Sequence, residues 1–494
     1  MTPLKCRPAR GFPAWGLPLL VLFLALPGKL IAQTAPPARP NVILVFIDTL
    51  RADHVHCLGY PRQTTPALDS VAARGTLFAS AIAPSSWSLP CYASIFSSLY
   101  PPAHGVDELR QHFDGSFVTL PKILGTYGYD TAGFVGGGHL SHVFGLDNGF
   151  DLYQDQPHFG SFLHTVPEAL RWIDRRRDKP FFALIQGYDL HAPYQPPLGF
   201  AEMYDPDYRG VIHSQNVLSC EVLLNITDNV LHLARTGANP SGLAAAGTRT
   251  ATSAFISSPL DVPPDARLEH LPLAEADRGH IVAHYDGAIS YADSWLSVLI
   301  EELKARSLLR NTLLVVAGDH GEGLGEHGYY GHRVDLYDEQ LRVPLVFSGP
   351  GIAASRHVTQ VVELVDLAPT VLDLCSIPAC REFQGRSLGA FVREGAPPPP
   401  PDESRPAFSC LSNRLSVRTS RWHLIHFSTG RTQLFDLATD PTEQLDLSKR
   451  EPELTRGLLG QALDWYERYR REPRGTNVSL TPDERAMFKQ KGYW

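Results

Sequence analysis

Beyond its first 32 residues the chain contains no apolar run approaching the ~20 residues an α-helix needs to cross a bilayer, so no interior membrane span is expected. Cysteine is scarce: there are 7 in 494 residues, with no C-x-x-C spacing, which excludes a disulfide-dense scaffold and the common zinc frameworks. Cys6 falls in the leader described below; of the rest, Cys375 and Cys380 are close enough in sequence to pair. No internal repeat recurs. Positive charge is also in short supply, with a formal net charge of −8, and Lys5, Arg7, Arg10 and Lys29 all precede Ala32, so a chain cut there is more acidic still. Such a chain argues against a nucleic-acid backbone as its main partner. Apolar residues, by contrast, make up 43% of the chain against 19% charged, enough for a sizeable core in one large domain with a smaller appendage.

The first 32 residues have a basic start, an apolar stretch at 15–26 broken by Pro18, then Pro27-Gly28 and the small Ala32. This pattern predicts a secretory signal peptide at 1–32, cleaved to leave a mature chain that begins near Gln33. An uncleaved N-terminal anchor is the alternative. The expected location is therefore outside the cytoplasm, periplasmic or extracellular, with no stable membrane insertion after cleavage. Residues 33–40, "QTAPPARP", read as a linker.

"NVILVFID", from Asn41, is a continuous β-branched run of the kind buried on both faces of a parallel sheet. Three more runs follow: "DTAGFVGGGH" at 130–139, "FFALIQGYDLH" at 181–191 and "NTLLVVAGDH" at 311–320. Each ends in Asp or His. Ligands of open α/β sheets sit beyond the carboxyl ends of the strands, so these endings describe one site assembled from distant segments. Helical patterns between the runs, such as "HIVAHYDGAISYADSWLSVLIEELKARSLL", supply the crossovers. Residues 236–267, rich in Gly, Ala, Ser, Thr and Pro, read as an irregular insertion. A Pro-rich linker at 397–405 precedes a C-terminal part, 406–494, with strand patterns in "LSVRTSRWHLIHF" and "TQLFDLATDPTEQLDL" and an amphipathic helix at about 452–471. The predicted class is α/β: a large, mostly parallel central sheet flanked by helices, with a small C-terminal α+β subdomain.

The segments "NVILVFIDTLRADH", "SWSLPCYASIFSSLYPPAHG", "HAPY", "GDHGEGLGEHG", "YDEQLRVPL" and "LFDLATDP" stand in the order and spacing of the sulfatase family. The chain resembles that family, within the alkaline-phosphatase-like superfamily, from about Asn41 to its end, which implies that fold and a catalytic domain at 41–396. Family members hold one divalent cation between carboxylates at the ends of the first and a late strand. Asp48 and Asp319 match those positions, with His320 where many members have Asn and Thr49 where many have a second Asp. Two anionic oxygens and a neutral imidazole can hold a cation and leave positions for the nucleophile and a substrate oxygen. The resemblance implies Ca2+, while His320 keeps Mn2+, Mg2+ and Zn2+ open.

The family's nucleophile is a cysteine or serine in C/S-x-P-x-R, oxidised to formylglycine. Pro90 sets the register, so Ser88 takes the nucleophile's place and also counts as a metal ligand; Ser97-Ser98 lands where the family has T-G. Cys91 occupies the fourth position and is expected to be a small buried residue. Tyr92 stands in place of the motif's Arg, which leaves both a formylglycine at Ser88 and an unmodified serine open. In "HAPY", His191 matches the histidine that contacts the ester oxygen and can protonate the leaving group. "GGGHL" resembles the family's G-K-W-H-L, keeping His139 but placing Gly137 where the lysine stands. His332 or Arg333 falls near another family lysine, placed to hold an anionic oxygen. His104 is expected to brace its loop, and His54, His213 and His426 are given no role.

The implied function is metal-dependent hydrolysis of a sulfate ester on a small molecule or carbohydrate. An aldehyde hydrate releases sulfate by expelling it with its second hydroxyl, whereas a plain serine ester must wait for water, which suits phosphorus better. A phosphomonoester, phosphodiester or phosphonate-monoester hydrolase on the same site is therefore the alternative, and a catalytically silent binding protein that keeps the fold is the third reading. Oligomeric state is not legible.

Overall fold

The structure is a computed structural model; it describes residues 39–175, 179–210, 274–397 and 405–471, and of the C-terminal stretch 478, 480–482, 485 and 488. The leader at 1–32, the irregular insertion at 236–267, and most of the Pro-rich linker lie outside the described residues.

The central sheet is built from β1 (Asn41–Ile47), β2 (Gly75–Ile82), β3 (Asp130–Phe134), β4 (Leu152–Gln154), β5 (Phe181–Gly187), β6 (Thr312–Gly318), β9 (Arg342–Ser348) and β10 (Arg356–Glu363). A separate ribbon is formed by β7 (Gly323–Leu324) and β8 (Tyr330–Gly331). The order is β10-β2-β9-β6-β1-β5-β3-β4. The four apolar runs of the sequence become the contiguous block β6-β1-β5-β3, parallel throughout. β9 runs antiparallel to both of its neighbours, β2 and β6, which makes the sheet mostly rather than wholly parallel.

Why those runs are continuous rather than alternating follows from what covers them. Val42, Leu44 and Phe46 face one cluster, which includes Tyr92 and Phe96; Ile43, Val45 and Ile47 face another, which includes the helices Phe162–Ile173 and Glu275–Ala305. Successive side chains of a strand point to opposite faces, so both sets must be apolar when both faces are covered. Each such side chain stabilises the fold by about 1.5–3 kcal/mol when fully buried. The register levels the strand ends: Ile47 pairs with Gly187 on one side and with Gly318 on the other. Asp48, Tyr188 and Asp319 therefore leave the sheet side by side.

The C-terminal sheet is an antiparallel meander of β11 (Ala407–Leu411), β12 (Arg414–Arg418), β13 (Trp422–Phe427) and β14 (Thr432–Asp436). The helix Pro452–Tyr469 covers it, burying Leu458 and Ala462 against Val417, Leu424 and Leu434. Its first position is proline, where the missing N–H removes no intrahelical bond. The sequence pattern marks this helix and β12 to β14 but not β11. The Cys375–Cys380 pairing left open by their proximity is not formed: Cys57, Cys91, Cys375, Cys380 and Cys410 are free thiols. Cys375 caps the helix Leu367–Leu374 and is buried beside the Tyr129 side chain, while Cys380 lies on the half-buried loop that follows.

Candidate active site

Three backbone features place the reacting groups. Thr49, two residues past the end of β1, has a left-handed φ of 55°, unusual for a β-branched residue. Its conformation is held from both sides: its N–H donates to Asp319 Oδ1 at 3.2 Å and its carbonyl accepts the Tyr285 hydroxyl at 2.7 Å. Ser88 opens the fully buried helix Ser88–Ser97, with Pro90 in the first turn where a missing N–H costs nothing. The loop after β6 brings in Asp319, His320 and Glu322, all completely buried.

Ser88 Oγ lies 3.3 Å from Asp48 Oδ1 and 3.2 Å from His320 Nε2. His320 Nδ1 is 2.9 Å from the Gly321 carbonyl oxygen, which can only accept; Nδ1 therefore carries the hydrogen and Nε2 presents its lone pair to Ser88 and the carboxylates. Asp48 Oδ2, Asp319 Oδ2 and Thr49 Oγ1 are buried without a hydrogen-bond partner. Ligand atoms of Asp48, Asp319 and His320 fall within 4.8 Å of one another, which among the described residues is the one group of three or more side chains able to hold a metal ion. Burial, then the charges of Asp319 and Glu322, push the Asp48 carboxyl well above its usual range, and burial also raises Asp319. Two carboxylates taken out of water with no cation between them are strongly disfavoured as anions. Two carboxylate oxygens, an imidazole nitrogen and a serine hydroxyl are a donor set that fits a divalent cation.

A second layer surrounds this cluster. His332 Nδ1 is 3.2 Å from Glu322 Oε1, and its ring centroid is 4.7 Å from that of His320 and 5.0 Å from that of His191. Burial holds the His332 pKa well below the usual imidazole range, with the charges of His320 and Arg333 acting in the same direction. His191 Nδ1 is 2.7 Å from the Ala192 carbonyl oxygen, which fixes the hydrogen on that nitrogen. The Arg333 N–H donates to the Ser86 carbonyl at 2.9 Å and its guanidinium lies 5.4 Å from the Trp87 ring centroid, next to the nucleophile position. His139 is buried edge-on to the same Trp87 at 5.3 Å, with Phe144 and Phe488 on other sides. All the residues named from the sequence thus converge: Asp48, Thr49, Ser88, Asp319 and His320 in the centre, His191 and His332 beside them, His139 and Arg333 against Trp87.

The departures from the family motifs have local explanations. Cys91 Sγ donates to the Ser85 carbonyl at 3.1 Å, and burial drives its thiol pKa well above the ordinary value, which leaves it unreactive. Tyr92 packs edge-on against Phe46 at 5.3 Å, its hydroxyl buried without a hydrogen-bond partner. Burial, aided by the Asp319 and Asp48 charges, keeps it neutral. Gly137 has a φ of +70°, and a Cβ there would meet the Asp155 carbonyl oxygen at 2.5 Å, so no lysine can stand at this position without moving the backbone. His104 bridges Ser94 Oγ at 3.0 Å and the Val106 N–H at 3.1 Å, pinning the loop after the helix.

Sequence reasoning missed Glu322, which orients His332, and Tyr285, which holds Thr49. Glu322 was visible only as one acid in the glycine-rich run after Asp319. Tyr285 sits within a long helical pattern whose local sequence carries no sign of the contact.

A family model described as Sulfatase matches residues 40–377, and a second, described as N-sulphoglucosamine sulphohydrolase, C-terminal, matches residues 325–456. Arylsulfatase K of Canis lupus familiaris is 24% identical over 85% of this chain and 81% of its own length. A protein solved in complex with its substrate D-glucosamine-2-N,6-O-disulfate superposes with a TM-score of 0.68 at 20% identity, covering 87% of this chain and 98% of that one. The phosphonate monoester hydrolase of Agrobacterium radiobacter superposes with a TM-score of 0.67 at 21% identity, covering 90% of this chain and 100% of its own. These two likenesses establish the alkaline-phosphatase-like fold.

Proposed function

The chain belongs to the sulfatase family and is a sulfuric ester hydrolase, and on that premise we propose that Ser88, or the formylglycine formed from it, attacks the sulfur of a sulfated carbohydrate beside a cation held by Asp48, Thr49, Asp319 and His320. The observation that carries this reading is the position of Ser88 Oγ, within 3.2–3.3 Å of two side chains of the one group of three, among the described residues, able to hold a metal ion. A divalent cation there, calcium first and Mn2+, Mg2+ or Zn2+ next, supplies Lewis acidity toward the sulfuryl oxygens and offsets the charge of the two carboxylates.

The chain's own groups divide the remaining work. Without a cation the Ser88 hydroxyl donates to Asp48 Oδ1, with His320 Nε2 a second acceptor within reach of the same Oγ, and these contacts hold the nucleophile at the cation site. Arg333 is the nearby cation for an anionic ester oxygen, and its stack on Trp87 holds it against the Ser88 turn. His191, with its Nδ1–H committed to the Ala192 carbonyl, serves as general acid in its doubly protonated form, giving its Nε2 proton to the departing sugar oxygen and remaining as neutral imidazole. Glu322 steadies His332 next to it, and His139 packs edge-on against Trp87. The leader pattern supports export to the periplasm or beyond, and the domain limits 41–396 and 406–494 support one catalytic unit with a C-terminal appendage.

A second reading is favoured by one observation: neutral Tyr92 and Gly137 stand where the family motifs have Arg and Lys, so the site has two fewer cations than the family pattern. Fewer cations and an unmodified serine suit a phosphonate monoester or phosphodiester. Two measurements separate the readings. The mass of the peptide holding Ser88 is lighter by two hydrogens if formylglycine forms, and kcat/KM on sulfated sugars against phosphonate monoesters ranks the substrates. An unmodified Ser88 together with faster phosphonate cleavage would overturn the sulfate-ester reading of the site.

A further inference from the structure

Outside the site just described, the helix Glu275–Ala305 carries a second constellation. His280 and His284 lie one turn apart on one face, both more than nine-tenths buried. His280 Nδ1 is 3.0 Å from Asp205 Oδ2, and His284 Nδ1 is 3.2 Å from the Tyr194 carbonyl oxygen. Both partners can only accept, so both Nδ1 atoms carry hydrogen and both Nε2 atoms present lone pairs. Those two Nε2 atoms face each other at 3.2 Å. Two lone pairs so placed repel unless a cation lies between them.

We propose that His280 and His284 bind a second, borderline-soft divalent cation of the zinc class, separate from the oxygen-rich site at Ser88. Two imidazoles on one tetrahedral ion, with bonds of about 2.0–2.1 Å, stand about 3.3 Å apart, which matches the separation seen. A carboxylate or carbonyl behind the second ring nitrogen is the usual support of a metal-bound histidine, and both rings have one. Tyr208 stacks on His280 with centroids 3.8 Å apart and an 11° interplanar angle, and donates its hydroxyl to Asp277, which fixes the ring plane. All-nitrogen ligation selects zinc, nickel or copper over calcium and magnesium. Because the protein supplies two ligands, the remaining positions fall to water. Tyr194 links this site to the catalytic centre: its carbonyl takes His284, while its side chain hydrogen-bonds Glu322.

The test uses the tag-free full chain carrying Asp319→Asn, which disables the first site, stripped with chelator and titrated with Zn2+ against a chromophoric competitor. One equivalent should bind. Adding His284→Gln or, separately, His280→Gln should weaken that binding at least tenfold, and Co2+ in place of Zn2+ should give visible tetrahedral bands that either variant abolishes. Thermal unfolding of the metal-free variants checks that they fold, and two substitutions guard against one that does not. Zinc binding that neither substitution weakens, or no binding at all in the Asp319→Asn chain, would overturn the proposal and leave a proton shared between the two rings.

Discussion

Glu322→Gln isolates the electrostatic strain of the catalytic centre. Burial, opposed by the charges of His320 and Arg51, pushes the Glu322 carboxyl from 4.5 to about 8 in the folded protein. Below about pH 4.5 the group is protonated folded or unfolded and has no effect on stability. As pH rises from there toward 8 the unfolded chain releases its proton and the folded protein keeps it, so stability falls by about 1.4 kcal/mol per pH unit and is about 3 kcal/mol lower at pH 7. The amide that Glu322→Gln introduces has no proton to exchange and can still accept from His332 Nδ1. In excess chelator, the variant should therefore match the wild type in urea unfolding near pH 4.5 and exceed it by about 3 kcal/mol at pH 7, levelling off above pH 8.

A cation on Asp48 and Asp319 lowers the field at Glu322, so saturating cation should shrink the difference between the two proteins. A gap that stays constant from pH 4.5 to 8 in chelator, or one that narrows as pH rises, would refute the reasoning, because neither can arise from an acid whose folded pKa is raised.

Four other outcomes follow from the same geometry. Asp319→Ala should lose bound metal by elemental analysis and hydrolysis with it; retention of full activity would remove Asp319 from the ligand set. Ser88→Ala should lower kcat by at least about three orders of magnitude, about 4 kcal/mol of transition-state stabilisation, while Cys91→Ser remains active, the reverse pattern meaning that Pro90 does not set the register. Gly137→Ala should destabilise by about 1–3 kcal/mol in chemical unfolding, since it combines a left-handed φ with a 2.5 Å approach to the Asp155 carbonyl; an unchanged stability would show that the loop yields freely. N-terminal sequencing of protein from an exporting host should begin near Gln33, and a retained leader on membranes would favour an anchor.

The strands that hold the site were legible because their physics is local. β1, β5 and β6 are buried at every position, and their uninterrupted apolar stretches at 42–47, 181–185 and 313–317 can be little else beside glycine and proline punctuation. β10 was not legible: its side chains alternate irregularly between buried and exposed, and its pairing with β2 shifts register between Val358 and Val361. β9, the antiparallel strand that breaks the sheet's parallel order, carries Pro344 in mid-strand, and its direction is set by the neighbours it finds. Direction is a property of the assembled sheet, and no pattern within seven residues encodes it.

The site divides along the same line. Asp48, Asp319 and His320 were readable because a strand end exposes its next residue at a place the topology fixes. Glu322, Tyr194 and Tyr285 act through contacts of another kind: the Tyr285 hydroxyl reaches the Thr49 carbonyl across 236 residues of sequence. That contact explains how a β-branched residue can occupy a left-handed turn where many family members have an acid. Thr49 brings no charge, yet its N–H orients Asp319, and its Oγ1 is buried without a hydrogen-bond partner. In the proposed donor set Asp48 and Asp319 supply the two carboxylates, which together match one divalent cation. A further carboxylate beside Asp48, Asp319 and Glu322 would raise the repulsion already visible in the displaced pKa of Asp48. Thr49→Asp should accordingly weaken the metal-free fold and strengthen cation binding, and calorimetry on that variant measures both; a weaker cation affinity in Thr49→Asp would show that the threonine side chain points away from the metal.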